Sequence, residues 1–284
     1  MKINSIKKPL SWLLAPTALW MILLLTILSP TVLSAADYQF ERNLTYRPDA
    51  EESLQKACQV DIAYLPNQTN APVIVWFHGG GLTGGKRELP KELRAEGIIT
   101  VGVEYRLSPE VEIDEILDDA AASVAWTFKN ISRYGGSPEK IYLAGHSAGG
   151  YLVSLITLDK SRLAKYDIDA NQLAGVIPYS GHAITHFNTR HRMGMPPWQA
   201  MIDKTAPIYH VRPDAPPILI ISGDREKELY GRYEESAFFW RMLKLCGHPQ
   251  VTLYELDGFD HGSMCKPAHE LALRFIREQE SRKK

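Results

Sequence analysis

The sequence predicts an α/β fold in which helices cover both faces of a doubly wound, mostly parallel β-sheet. Short β-rich runs alternate with helical patterns along the chain, which is typical of strands joined by crossover helices. Several of those runs are apolar throughout, as strands covered on both faces are. The 284 residues are 45% hydrophobic, with 32 basic and 33 acidic side chains. This composition predicts one globular domain with a sizeable core, and the balanced charge does not indicate a nucleic-acid partner.

The N-terminal segment, residues 1–36, predicts an export signal. Three lysines, at positions 2, 7 and 8, precede an apolar run from about residue 10 to residue 33, which ends in Ser-Ala-Ala at 34–36. This order is typical of a signal peptide cleaved near Ala36, which would place the domain 37–284 in the periplasm or outside the cell. The alternative is an uncleaved membrane anchor, because the run is long for a signal peptide although two prolines interrupt it.

The remaining chain is predicted to contain a series of strands separated by helices. The clearest helix runs from about Glu112 to Tyr134, where apolar residues recur at helical spacing and form one stripe that packs on the sheet. Gly135-Gly136 is expected to end it. The predicted strands are 60–64, 73–77, 98–105, 141–144, 175–179, 218–222 and 251–256.

The segment IYLAGHSAGGYL, 141–152, has the pattern of a strand, a sharp turn and a helix. Ser147 lies on the turn, and Gly145 and Gly149 leave the space in which such a turn closes. The backbone N–H of Ala148, at the start of the helix, would face an attacked carbonyl oxygen as it becomes negative. A plain helix start with serine as its cap is the alternative, but the strand before and the helix after favour a nucleophile.

A serine nucleophile requires a base, and the base requires an acid that orients it. His261 follows the last predicted strand, in the loop DGFDHGSM, whereas His248 precedes that strand and His269 lies in the terminal helical pattern. His261 is therefore the predicted base. The acid is expected after the preceding strand, in SGDREKELY, where Asp224 and Glu226 are both candidates.

The glycine-rich stretch WFHGGGLTGGKR, 76–87, follows another predicted strand and has two interpretations. Gly80, Gly85 and Lys86 match most of a phosphate-binding pattern, but Arg87 stands where that pattern requires a serine or threonine for magnesium. The phosphate interpretation is therefore disfavoured. In the other interpretation, the glycines allow backbone N–H groups to approach an oxygen of the substrate.

Four ordered motifs together resemble those of the α/β-hydrolase superfamily. Within it the chain is similar to carboxylesterases of the hormone-sensitive-lipase type and to their exported feruloyl- or acetylxylan-esterase-like relatives. The motifs are HGGG at 78–81, VEYRLSPE at 103–110, YGGSPEKIYLAGHSAGG at 134–150 and DGFDHG at 257–262.

The resemblance implies an oxyanion hole formed by the backbone N–H groups of Gly80, Gly81 and Ala148. It also favours Glu226 over Asp224 as the acid, because members of the fold commonly carry it three residues beyond the glycine that ends the strand. The catalytic set predicted from the sequence is therefore Ser147, Glu226 and His261.

A segment at about 181–203 interrupts the strand–helix pattern and predicts a small cap over the pocket. Trp198 lies in it, and its position predicts either a lining of the acyl or alcohol site or packing of the cap onto the body. His182, His186 and His191 fit no familiar zinc spacing, so neither a metal nor an organic cofactor is expected.

The activity that the resemblance implies is hydrolysis of a carboxylic ester through an acyl-enzyme. Short acyl esters, including acetyl or feruloyl groups on polysaccharide, are the expected substrates. An amidase or peptidase, such as an arylformamidase or exopeptidase, and a non-catalytic binding module of the same fold are the alternatives. A membrane partner is expected only if the N-terminal segment stays uncleaved, and the sequence predicts neither the oligomeric state nor the pairing of its three cysteines.

Overall fold

The computed structural model describes residues 4–6, 38–95, 97–196, 198–229 and 231–282. Within these ranges the strands form one sheet, in which β4 and β6 to β9 run parallel while β3 pairs antiparallel with β2 and β5. The strands are β1 (Asn4–Ile6), β2 (Gln39–Thr45), β3 (Gln59–Tyr64), β4 (Ala71–Phe77), β5 (Ile99–Val103), β6 (Gly136–His146), β7 (Gly175–Tyr179), β8 (Ile218–Gly223) and β9 (Val251–Leu256), and their order in the sheet is β1-β9-β8-β7-β6-β4-β5-β3-β2.

Helices cover both faces of this sheet, which confirms the predicted α/β class. They are α1 (Glu52–Ala57), α2 (Ile113–Asn130), α3 (Ala148–Leu158), α4 (Lys160–Ala164), α5 (Phe187–Arg192), α6 (Arg232–Leu245) and α7 (Cys265–Arg282). The predicted long helix is α2 followed by a short 3₁₀ turn at Ile131–Tyr134. Gly135 follows that turn with φ 81°, a left-handed conformation that glycine adopts without steric cost.

The core divides into two layers because alternate residues of each strand face opposite sides of the sheet. On β4, Val73 and Val75 pack toward α2, α3 and α6, whereas Ile74 and Trp76 pack toward α7. Strands that are buried on both faces in this way are apolar at successive positions, which is why they could be recognised in the sequence.

Several strands differ from the predicted ones in their bounds, and one long edge strand was not predicted. The strand predicted at 98–105 is shorter, Ile99–Val103, and the one predicted at 141–144 is the last part of the longer β6. The sequence did not reveal β2, because Gln39–Thr45 is an edge strand with mostly exposed and polar side chains.

The predicted export segment 1–36 lies outside the described residues except for β1. No helix within the described ranges is long and apolar enough to cross a membrane. Cys58, Cys246 and Cys265 are all free thiols in this structure.

Candidate active site

The predicted functional residues lie on loops that follow the parallel strands. Ser147 follows β6, the glycine loop follows β4 and His261 comes after β9. Because neighbouring parallel strands all end at one edge of a sheet, these loops share that edge.

Ser147 lies on a strained turn between β6 and α3. Its backbone has φ 54° and ψ −113°, a conformation that a residue with a side chain rarely adopts. A hydrogen bond of 2.8 Å from its N–H to the carbonyl oxygen of Tyr179, on the neighbouring strand, holds the turn in place. The residue is 8% exposed, and it directly precedes the N-terminus of α3.

The turn closes because two glycines leave room for neighbouring backbone. A Cβ atom on Gly149 would lie 2.0 Å from the carbonyl oxygen of Phe77, and one on Gly145 would lie 2.6 Å from the carbonyl carbon of Gly149. Both distances are impossible for real side chains. The structure therefore gives the same reason for the Gly-x-Ser-x-Gly spacing as the sequence did.

The acid beside His261 is Glu228, which corrects the prediction of Glu226 with Asp224 as the alternative. Nδ1 of His261 donates a 2.9 Å hydrogen bond to Oε2 of Glu228, whose side chain is only 1% exposed. Neither predicted residue reaches the histidine. The carboxylate of Asp224 accepts instead from the backbone N–H groups of Glu226 and Gly258.

The winding of the loop after β8 explains the correction. The N–H of Glu228 donates to the carbonyl oxygen of Asp224, which makes one helix-like turn. In such a turn, residues four apart share a face and a residue two positions away points elsewhere. Glu226 is consequently exposed, while Glu228 faces the interior.

Four donors surround the carboxylate of Glu228. Oε1 accepts from the hydroxyl of Ser180 at 2.6 Å and the N–H of Gly223 at 3.1 Å, and Oε2 accepts from His261 and from the N–H of Leu229. Burial alone would raise the pKa of Glu228, but the bonds from His261 and Ser180 outweigh it and lower the pKa to about 2. Glu228 is therefore ionised at neutral pH and fixes a proton on Nδ1 of His261, which leaves Nε2 free to accept.

His146, the residue before the serine, connects the serine turn to the His261 loop. Its Nε2–H donates to the carbonyl oxygen of His261 at 2.8 Å, and the two rings lie 4.5 Å apart between centroids. Burial and the charge of His261 lower the pKa of His146 to about 4, so that its ring is neutral at neutral pH. The hydrogen bond of His146 thus joins the turn of the predicted nucleophile to the loop of the predicted base.

The glycine loop lies directly against the serine. A Cβ atom on Gly79 would be 3.4 Å from Cβ of Ser147. His78 braces the loop: its ring stacks on Tyr105 with centroids 4.3 Å apart, and its carbonyl oxygen accepts from the Tyr105 hydroxyl at 2.8 Å. The N–H of Gly84 donates a hydrogen bond to the carbonyl oxygen of Gly80, so this N–H is not directed toward a phosphate site.

The predicted cap contains α5, and its Phe187 contacts the glycine loop. A Cβ atom on Gly81 would lie 2.9 Å from Cζ of Phe187, which itself is 44% exposed. Trp198 is 85% exposed. The structure therefore places Phe187 against the predicted oxyanion loop. The exposure of Trp198 contradicts the packing of this residue onto the body, whereas its lining of the acyl or alcohol site stays a prediction.

The cap histidines lie in two different environments. The rings of His182 and His186 are buried and 4.8 Å apart, whereas His191 is exposed. Among the described residues, no group of three or more His, Cys, Asp or Glu side chains is placed to hold a metal ion.

Sequence reasoning missed Glu228, and it also missed Ser180. Ser180 is fully buried just after β7 and has φ 46°, so it adopts a left-handed conformation without being glycine. The sequence signal that bears on Glu228 is its spacing of four residues from Asp224. Ser180 has no local signal, because its role depends on the contact between two loops that are distant in the chain.

A strained serine, a carboxylate-paired histidine and a glycine loop lie at the strand ends, which is the arrangement that the α/β-hydrolase fold gives its sites. The sequence comparisons agree with this geometry. The family model BD-FAE matches residues 60–243, and the chain belongs to this family of α/β-hydrolase esterases.

Curated relatives of the chain include esterases of Mycobacterium tuberculosis. The chain is 26% identical over 250 residues to the esterase LipC, a match that covers 79% of this chain and 60% of LipC. It is 29% identical over 224 residues to the probable carboxylic ester hydrolase LipM, covering 70% of this chain and 52% of LipM. The chain thus spans little more than half the length of these relatives.

Solved structures similar to this one are esterases of the same fold. A truncated carbohydrate esterase from gut microbiota superposes with a TM-score of 0.70 at 17% identity, covering 86% of this chain and 96% of that chain. Esterase 2 of Thermogutta terrifontis with bound butyrate superposes with a TM-score of 0.65 at 21% identity, covering 86% of this chain and 95% of that chain.

Proposed function

We propose that the protein is a serine esterase that hydrolyses carboxylic esters through an acyl-enzyme, with Ser147, His261 and Glu228 as its catalytic triad. The observation that carries the proposal is the strained backbone of Ser147, because a turn with φ 54° serves to present a side chain and has no evident value for packing. Membership of the BD-FAE family and the esterase relatives support the same reaction.

In the proposed reaction, Nε2 of His261 takes the proton of the Ser147 hydroxyl as the serine oxygen attacks the ester carbonyl carbon. The negative oxygen that forms is stabilised by the N–H groups of Ala148, Gly80 and Gly81. His261 then gives its proton to the departing alcohol. Water, activated by the same histidine, releases the acid and restores the serine.

The proposed substrates are short acyl esters, including acetyl or feruloyl groups on polysaccharide. One of the similar solved structures is a carbohydrate esterase, and another holds butyrate, a short acyl chain. A panel of acetylated xylan, feruloylated arabinoxylan, formylkynurenine and aminoacyl anilides separates this proposal from an amidase or peptidase. Preferred cleavage of the last two compounds would contradict the ester proposal.

The test of the mechanism compares the wild type with Ser147→Ala on p-nitrophenyl acetate. We expect the variant to lose activity by about 10⁶-fold, as removal of a triad serine does. Circular dichroism checks that the variant is folded. Turnover by the variant at the wild-type rate would contradict the mechanism, and a folded wild type that cleaves nothing in the panel would favour a binding module.

The proposed location is the periplasm or the outside of the cell, because residues 1–36 have the order of a signal peptide. Expression of the full chain followed by fractionation and N-terminal sequencing tests this proposal. A mature chain that begins near Asp37 in the exported fraction is expected, whereas retention of the intact chain in membranes would indicate an anchor.

A further inference from the structure

A buried polar chain extends from the triad acid toward the cap and is not required by the mechanism above. It consists of Ser180, Arg232, His182 and Glu235, here called the support network. All four side chains are buried or nearly so, and the side chains of His182 and Glu235 are 4% and 11% exposed. Burial of polar and charged groups costs free energy unless hydrogen bonds replace their contacts with water, so the presence of these side chains beside the triad requires an explanation.

The first link of the support network is Ser180. Its hydroxyl donates to Oε1 of Glu228 at 2.6 Å, opposite the oxygen that holds His261. The rotation of the carboxylate is thereby fixed from the side remote from the histidine. Because Ser180 has φ 46°, the direction of its side chain depends on a strained backbone that its neighbours must hold.

Two contacts hold that backbone. The N–H of Ser180 donates to the carbonyl oxygen of Ile221 at 2.7 Å, and its carbonyl oxygen accepts from Nη1 of Arg232. The first contact continues the pairing of β7 with β8 by one residue. The second comes from the charged guanidinium of Arg232, a residue that is only 3% exposed.

His182 and Glu235 fix the guanidinium of Arg232 in turn. Nη2 of Arg232 donates to Nε2 of His182 at 2.7 Å, so this nitrogen is an acceptor and the ring is neutral. The proton of His182 is therefore on Nδ1, which donates to Glu235 at 2.9 Å. Burial, followed by the charge of Arg232, lowers the pKa of His182 well below its usual value, in agreement with this assignment.

We propose that Arg232 is a positioning residue of the catalytic triad: held by the His182–Glu235 pair, it fixes the backbone of Ser180 and so aims the hydroxyl that orients Glu228 toward His261. This inference rests on the proposed esterase function. It assigns no contact with the substrate to the support network, whose effect is carried entirely by the geometry of Glu228.

The test uses the full chain with Ser180→Ala and Arg232→Lys, each alone and combined with Glu228→Gln. Ser222→Ala is the matched control, because Ser222 is also a buried serine at the end of the neighbouring strand, but its hydroxyl has no partner among the described residues. Burst-phase and steady-state kinetics with p-nitrophenyl acetate give kcat and KM, and thermal unfolding confirms that each variant is folded.

We expect Ser180→Ala and Arg232→Lys to lower kcat by about tenfold to a hundredfold while KM changes less than about twofold, since each removes hydrogen bonding that acts on a charged group. In the Glu228→Gln background, the same changes should lower kcat by less than about twofold, because residues that act through one group are not additive. Ser222→Ala should match the wild type.

An equal loss in both backgrounds would overturn the inference, because it would mean that Ser180 and Arg232 act independently of Glu228. If Arg232→Lys does not fold, His182→Gln and His182→Leu replace it: the glutamine oxygen can still accept from Arg232 and should retain more activity than leucine. An inactive Ser147→Ala together with a fully active Ser180→Ala would refute only this inference. An active Ser147→Ala would refute the proposed function itself.

Discussion

Replacement of Glu228 by glutamine tests the proposed triad most directly. The pKa of this carboxyl falls from an ordinary 4.5 to about 2, which corresponds to about 3 kcal/mol of preference for the ionised form over the neutral one. The same carboxylate faces the imidazolium that forms when His261 takes a proton, and loss of a charge-assisted hydrogen bond worth up to about 3 kcal/mol predicts a decrease in kcat of about a hundredfold. The amide group of glutamine can also donate to Nδ1 of His261, which would leave the proton on the wrong nitrogen; a change of this kind costs about 10⁴-fold in serine proteases.

The assay is steady-state hydrolysis of p-nitrophenyl acetate at neutral pH, with Glu226→Gln as the matched control. Glu226 lies two residues away, carries the same charge and is exposed, so its replacement should change kcat by less than about twofold. We expect Glu228→Gln to lose between about 10² and 10⁴ in kcat. Wild-type activity in Glu228→Gln, or an equal loss in Glu226→Gln, would refute the assignment of the acid.

Three further predictions concern stability, the glycine loop and the cap. Because the pKa of Glu228 is lowered, its ionised form stabilises the folded state above about pH 4.5, and this contribution is lost as the pH falls toward 2. In urea titrations, the difference in unfolding free energy between the wild type and Glu228→Gln should therefore become smaller from pH 7 to pH 3. A difference that does not change with pH would contradict the assignment of Glu228 as ionised. Gly80→Ala would place a Cβ atom 2.1 Å from the carbonyl oxygen of Gly84, on a residue with φ 117°, and so would displace the loop. We expect kcat to fall by about 10²–10³-fold, as it does when one oxyanion-hole donor is lost. An unchanged kcat would mean that this loop takes no part in the reaction. Phe187→Ala should change KM severalfold in the ester panel, because Phe187 contacts the glycine loop. Trp198→Ala should change KM by less than about twofold, because Trp198 is highly exposed. The reverse result would indicate that Trp198, and not Phe187, lines the pocket.

The parts of the fold that the sequence revealed are those whose pattern has a local cause. Buried parallel strands are apolar at successive positions, and the serine turn needs glycine at fixed distances because backbone fills the space around it. The edge strand β2 has neither property and was missed. The choice among the acids after β8 was wrong because it used the distance from Gly223, whereas the acid is placed by one turn of the chain between Asp224 and Glu228, whose only local signal is their spacing of four residues.

Contacts between loops were beyond sequence reasoning for a different reason. Ser180 meets Glu228 because β7 and β8 are neighbours in the sheet, so the residues that follow their carboxyl ends lie side by side. Strand–helix alternation predicts that parallel strands exist but does not give their order. Once the order is known, the loops after β6, β7, β8 and β9 must be consecutive along one edge, and they carry Ser147, Ser180, Glu228 and His261 respectively. In the proposed triad, the loop after β7 therefore lies between the nucleophile and the acid, and a replacement of Ser180 on that loop should disturb the position of Glu228 more than that of Ser147.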